Sequence, residues 1–261
     1  MDRQKLNLIR TDILSIPWEK NKRQSDEFAG VFLHSNSPFT LEENQAAFHS
    51  FRVFSEHLYP INLFISSDAI TEDVGKIIDL YGNINVIQIP RLTSIIQFND
   101  FSINKLLYSV EQEKLLYVQN DGHLIQKGWE SHVQQYDWLG AAWKEPIKVV
   151  ENHFNFPPVR VGNGGFNFRR RSKCLQVLEW VNKLGGQNDV VKGIEIDGQT
   201  RNRGPFLAED LFFCYFGFNL GVFEPTSIEV ADKFSLEPIE WSLYSDKDNI
   251  KRPYGFHRID Q

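Results

Sequence analysis

Tyr117-Val118-Gln119-Asn120-Asp121-Gly122-His123 is the stretch on which the reading of this chain turns. Leu115 to Gln119 is an apolar run with the character of a buried strand, and it ends in a carboxylate and an imidazole two residues apart. Ligands of α/β proteins gather where strands end, so Asp121 and His123 are candidate metal ligands at the rim of a sheet. In isolation the same residues are good turn chemistry, with Asp capping and Gly supplying positive φ. Company downstream shifts the balance: Gly162-Asn163-Gly164-Gly165-Phe166, then Ala208-Glu209-Asp210-Leu211-Phe212-Phe213, and finally Tyr254-Gly255-Phe256-His257.

The residues before Asp121 alternate strand and helix patterns. Residues 28–34 read as a first strand, and Thr40 with Glu43 as a capping box for a helix bearing Ala47, Phe51, Phe54 and Leu58 on one face. Ile61 to Ile65 repeats the strand, and Val74, Ile77, Ile78 and Tyr81 repeat the helical face, which Gly82 ends. Val86 to Ile89 is a third strand closed by Pro90. Asp100 is a candidate cap for a helix carrying Ile103, Leu107 and Val110. Such alternation predicts an α/β fold with a central mixed, mostly parallel sheet flanked by helices.

The second half is less regular. Val159 to Phe168 reads as a glycine-interrupted strand, and Ser172 opens a helix with Leu175, Leu178, Val181 and Leu184 that stops at Gly185. Gly185 to Gly204 is polar, glycine-rich and holds Arg201 and Arg203; a surface insertion and a mobile lid are both open. Glu209 and Asp210 open an apolar helix from Leu211 to Phe218, where acidic residues also serve as simple capping. There is no internal repeat.

Composition excludes several classes. Hydrophobic residues are 41% and charged residues 24%, ordinary globular values that do not call for disorder. At 261 residues the chain can form one large domain, 1–261, whose first half, 1–125, resembles a nucleotide-binding α/β half-domain and whose second half, 126–261, would by the same resemblance bind an acceptor and end in a C-terminal tail. A net charge of -6 gives no global attraction to nucleic acid or anionic lipid. Cys174 and Cys214 sit in apolar helical patterns without metal-ligand spacing and read as reduced core residues. The polar start from Met1 to Lys5 lacks a secretory apolar centre, and no apolar run reaches the about 20 residues that span a bilayer. The expected compartment is the cytoplasm, with association at the inner face of the membrane left open.

In this order, strand plus Asp-x-His, Gly-Asn-Gly-Gly-Phe, Glu-Asp at a helix start and a late Gly-Phe-His resemble glycosyltransferases of the GT-A, Rossmann-like fold. Gln119 to Gly122, Gly140-Ala141-Ala142-Trp143, Gly162 to Phe168 and Glu209-Asp210 resemble more closely a mostly bacterial glycosyltransferase-like family that accompanies polysaccharide gene clusters. The resemblance implies a metal-dependent, inverting transferase with a nucleoside diphosphate sugar as donor, uridine diphosphate first, and a glycan or lipid-linked glycan hydroxyl as acceptor. It further implies manganese, or magnesium, held by Asp121, His123 and His257, with the tail histidine as third ligand. Asp210 is then the general base and Glu209 its acceptor-binding support.

Gly162, Gly164 and Gly165 would let backbone approach a sugar, with Asn163 offering donor and acceptor, although Asn-Gly is equally a bulge or hairpin signal. Trp143, and Trp138, could stack on a sugar or belong to the core. Asn104 and Lys105 are candidates for nucleotide contacts, and the run Arg169-Arg170-Arg171 for diphosphate or solvent. Two other classes remain at this level, a metal-dependent nucleotide-sugar hydrolase or phosphoesterase and a non-catalytic glycan-binding module.

Overall fold

The computed structural model describes residues 3–17, 25–34, 39, 41–53, 57, 59–152, 154–196, 199–201 and 207–258. Helix α1 (Arg3–Ser15) precedes β1 (Phe28–Leu33), α2 (Leu41–Val53), β2 (Ile61–Ser66), α3 (Glu72–Tyr81), β3 (Ile84–Ile89), α4 (Ile95–Asn104) and β4 (Lys114–Val118). Then come β5 (Gly122–Leu124), α5 (Trp129–Val133), β6 (Trp138–Glu151), β7 (Val159–Arg170), α6 (Arg171–Lys183), α7 (Gln187–Val190), β8 (Val191–Ile196) and β9 (Gln199–Arg201). The chain continues through α8 (Glu209–Asn219), α9 (Ile228–Phe234), β10 (Ser235–Leu236), α10 (Trp241–Ser245) and β11 (Gly255–His257).

An eight-stranded sheet runs in the order β3-β2-β1-β4-β7-β6-β8-β9, and a three-stranded one in the order β10-β11-β5. The alternating first half gives parallel pairs, β1 with β2 and β4, and β2 with β3. From β4 onward the pairing is antiparallel, through β7, β6, β8 and β9. After β4 two hairpins, β6–β7 and β8–β9, enter the sheet, and β8, reached from β7 through α6 and α7, pairs antiparallel with β6, so the sheet is mixed. The described part of the polar stretch after Gly185 is thus largely α7 and an edge hairpin, β8–β9.

Strand parity divides the core. Ala29, Val31 and Leu33 of β1, with Leu115 and Tyr117 of β4, meet α4, α6 and α8 on one face. Phe28 and Phe32, with Leu116 and Val118, meet α2, α3 and α5 on the other. Strands covered on both faces read as continuous apolar runs, which is why β1, β2 and β4 were legible. A third apolar cluster under the small sheet joins Leu6, Ile9 and Ile13 of α1 to Ile125, Ile239, Tyr244 and Phe256. Cys174 and Cys214 are buried and unpaired, as expected.

Some expectations shift. Helix α3 ends on Gly82 with φ 70°, as the sequence implied. Helix α4 starts at Ile95, where Ser94 Oγ accepts from the Gln97 N–H at 3.2 Å, and it is not capped by Asp100. Asp100 lies inside that helix and accepts from Asn104 Nδ2 at 2.8 Å, while Leu107 falls in a separate 3-10 turn. Thr40, Phe54, Leu58 and Arg203, and the side chains of Glu43 and Arg201, lie outside the described residues. Ser94→Ala should destabilise the protein by about 1 kcal/mol, whereas Asp100→Ala should cost under about 0.5 kcal/mol. Urea unfolding of the two variants makes the comparison.

Candidate functional site

Strand β4 delivers its end to the middle of the large sheet. The Gln119 N–H donates to Gly165 O at 3.0 Å, and the Gly122 N–H donates to Gln119 O at 3.0 Å, closing a turn with Asp121 at its tip. The small sheet then gathers three side chains. Strand β11 is central, antiparallel to β5 and parallel to β10, with His257 opposite Gly122 and Phe256 opposite both His123 and Leu236. This register brings Asp121, one residue before β5, and Glu237, one residue after β10, to the two sides of His257. Its Nε2 is 2.9 Å from Asp121 Oδ1, and its Nδ1 is 3.1 Å from Glu237 Oε2. Arg258 Nη1 lies 3.3 Å from Glu237 Oε1.

The electrostatics follow from this seating. Burial of His257 would favour a neutral ring, but the two carboxylates outweigh it and raise its pKa to about 9. Burial pushes the Asp121 carboxyl upward, yet the facing imidazole wins and holds it below its ordinary value. Asp210 is half-buried at the start of α8 and accepts from the Gly164 N–H at 2.8 Å and the Leu211 N–H at 2.7 Å. Desolvation dominates there and raises its pKa, with the nearby Glu237 charge adding to the rise.

His123 does not join His257. Side chains alternate along a strand, so the pairing that sets His257 beside Asp121 turns His123 to the other face. Its ring lies 5.5 Å from that of Phe256, and neither nitrogen has a hydrogen-bond partner among the described residues. Burial, reinforced by Arg10, lowers its pKa to about 3, so this is a neutral core imidazole. The expected set of Asp121, His123 and His257 is therefore not assembled, and among the described residues no three His, Cys, Asp or Glu side chains are grouped to hold a metal. The pair that remains does fit a cation with few protein ligands. Two oxygen or nitrogen donors at octahedral bonds of about 2.1 Å stand about 3 Å apart, and the Asp121–His257 approach of 2.9 Å has that spacing without hydrogen-bond alignment.

Other expected residues have structural duties. Glu209 is 3% exposed and pairs with Arg169 Nη2 at 3.3 Å, so it does not face an acceptor. The Arg169 guanidinium lies between the rings of Tyr117 and Trp138, at 4.6 and 4.5 Å, and so is core rather than a diphosphate contact. Arg170 Nε donates to Tyr136 O, and Arg171 Nε to Leu107 O. Trp138 is fully buried, its indole N–H donating to Gly162 O at 3.1 Å, and Trp143 packs partly buried against the larger core. Asn104 and Lys105 are exposed at the C-terminal end of α4, while the opposite end of that helix borders the cleft described below. Asn163 Oδ1 accepts from the Gly165 N–H at 3.2 Å, within a stretch where the β6–β7 register is irregular, as the bulge reading had it.

The glycines admit protein side chains. A Cβ at Gly164 would come 2.6 Å from Asp210 Cβ, and one at Gly165 would overlap the His257 ring.

Beside the cluster lies a cleft of about 430 Å³ that sequence reasoning missed. The ends of β1 (Leu33, His34) and β4 (Gln119, Asn120), the start of α4 (Ser94, Ile95, Phe98) and Asn44 of α2 line it, and among the described residues His34 is the only ionisable one in its lining. Glu237 was missed too. The signal was available for both, since His34 and Glu237, like Asp121, are polar residues placed just past strand ends.

These features define a mixed α/β protein with a strand-end cleft lined in part by the residues that immediately precede its carboxylate–imidazole cluster. The chain belongs to the family described as "Protein of unknown function (DUF5672)", matched over residues 83–257, a stretch that holds Asp121, Asp210, Glu237 and His257. No curated protein matches it. Among solved structures it is similar to 4-diphosphocytidyl-2C-methyl-D-erythritolsynthase from Anaerococcus prevotii DSM 20548, with 10% identity, a TM-score of 0.38, and coverage of 74% of this chain and 96% of that one. It is similar to S. aureus TarS 1-349, with 14% identity, TM-score 0.37 and coverage of 57% and 48%. It is also similar to the apo-form glycosyltransferase GlyE of Streptococcus pneumoniae TIGR4, with 12% identity, TM-score 0.46 and coverage of 92% and 55%. The aligned region thus spans about half the length of the latter two chains.

Gly165→Ala should destabilise the protein by about 1–3 kcal/mol because the His257 ring must move. Gly75→Ala, in α3 with nothing within 4 Å of the added carbon, should stabilise it by about 0.5 kcal/mol. Thermal unfolding of both variants measures the contrast, and an unaffected Gly165→Ala would refute the close seating of the ring.

Proposed function

We propose that the protein is a glycosyltransferase that takes a sugar from a nucleoside diphosphate, uridine diphosphate first, and passes it to a hydroxyl of a bacterial glycan with inversion. The observation that carries this reading is the continuity of cleft and cluster: Gln119 and Asn120 line the cleft, and Asp121 follows directly. Leu92 and Phe98 offer apolar walls to a base, and Asn44, Gln119 and Asn120 offer amide donors and acceptors to its edge and to ribose. A diphosphate leaving that cleft along the chain would meet Asp121 and His257. Those two side chains would hold a divalent cation, manganese first, which when bound supplies positive charge opposite the departing phosphate oxygens.

Asp210 takes the acceptor proton in this reading. Its two backbone N–H contacts fix the carboxylate and leave a lone pair on each oxygen, and desolvation makes it a stronger base than an exposed Asp. Glu209 is given no catalytic part. It neutralises Arg169 beneath the site and ties the start of α8 to β7. Direct displacement needs donor and acceptor held together, which the neighbouring cleft and Asp210 would accomplish by position alone.

Asp210→Asn should leave uridine diphosphate sugar binding within about twofold and lower transfer by about 100-fold or more. Calorimetry with a panel of nucleotide sugars, followed by product analysis with and without a glycan acceptor, tests this. Undiminished transfer removes Asp210 as the base. Sugar release that is indifferent to acceptor makes the protein a hydrolase instead.

A further inference from the structure

Glu237 has no part in the reading above, yet its place is as tightly specified as that of Asp121. The parallel register of β10 on β11 pairs Ser235 with Gly255 and Leu236 with Phe256, so the next residue, Glu237, arrives beside His257. Its side chain is 12% exposed, and Oε2 lies 3.1 Å from His257 Nδ1 on the far side of the ring from Asp121. Gly165 packs against the ring, so the imidazole occupies a slot whose free variable is rotation about its own bond to Cβ. A half-turn of the ring would exchange carbon and nitrogen positions and leave Asp121 facing a C–H. The Glu237 carboxylate 3.1 Å from Nδ1 disfavours that alternative by its charge and not by an aligned hydrogen bond, because the half-turn would set a carbon where the nitrogen now faces it and would take Nε2 away from Asp121.

We infer that Glu237 is a positioning residue: it orients His257 so that Nε2 and Asp121 Oδ1 together present a ready-made pair of ligands for a divalent cation. This rests on the proposed role of Asp121 and His257 and adds a third residue to it. Arg258 touches Glu237 Oε1 from an exposed position, 58% accessible, and steadies the carboxylate without reaching the ring.

The test is titration of the full chain with manganese alone, by calorimetry, in the wild type and in Glu237→Leu, Glu237→Gln and Arg258→Ala. Leucine keeps the bulk of the side chain and removes the acceptor, and glutamine keeps one acceptor oxygen. Manganese affinity should fall by about 10–100-fold in Glu237→Leu, recover to within about threefold in Glu237→Gln, and stay within about twofold in Arg258→Ala. Imidazole nitrogen shifts of the metal-free protein should show His257 protonated at Nδ1 in the wild type and in Glu237→Gln, and mixed tautomers at high pH in Glu237→Leu. Equal affinity in the wild type and a folded Glu237→Leu overturns the role of Glu237 and leaves the Asp121–His257 pair standing. A wild type that does not bind manganese overturns the pair, and Glu237 with it. A purely structural Glu237 would lower the melting temperature of Glu237→Leu while leaving both affinity and tautomer unchanged, and that outcome also refutes the inference.

Discussion

The seating of one imidazole between two carboxylates organises the second half of this protein. Taking His257, Asp121 and Glu237 out of water is costly, and that cost is offset only while they remain together. The arrangement therefore acts as a lock among segments far apart in the chain: the turn after β4, the end of β10 and the last strand, β11. Removing a single partner would leave a charge or a ring nitrogen uncompensated in a poorly solvated place, which penalises any register of the small sheet but the observed one.

The large sheet supplies the other half of the arrangement. Strand β7 lies against β4, and its two consecutive glycines make room on one side for Asp210 and on the other for His257. A carboxylate at the start of α8 and an imidazole from the chain's last described strand are thereby brought to adjacent residues of one strand. Beneath them, Arg169 between Tyr117 and Trp138, paired with Glu209, fills the space with a paired charge instead of a cavity. The cleft stays open beside this floor because β1 and β4 are neighbours in the parallel half, and ligand sites form outside the carboxyl ends of such strands.

What the sequence could disclose depended on the length of the element. Strands β1, β2 and β4 are covered on both faces, so their apolar runs were readable, and the glycine after α3 and the acidic start of α8 marked those helices. Helix α1 carried Leu6, Ile9 and Ile13 at helical spacing, a signal overlooked beneath its polar residues. The three strands of the small sheet have two or three residues each, too few for any period to show, and their register is set by tertiary pairing. That is why the sequence singled out Asp121 and His257, which do meet, together with His123, which does not join them, and why Glu237 went unnoticed. An Asp-x-His spacing places both side chains on one face only if the backbone stays extended through them, and here the turn at Asp121 precedes the strand.

The central claim is that His257 in the metal-free protein is held as a cation by Asp121 and Glu237, so that a divalent ion would have to displace the Nε2 proton to be bound there. A group whose pKa rises on folding stabilises the native state fully below its unfolded value, near 6.5, and loses that contribution as the pH climbs through the folded value, about 9. A proton-detected titration of the His257 ring in the metal-free protein, followed from pH 5 to pH 10, reads this directly. The account requires the imidazole to be still mainly protonated at pH 8, with its midpoint near 9; a midpoint at or below 6.5 would contradict it.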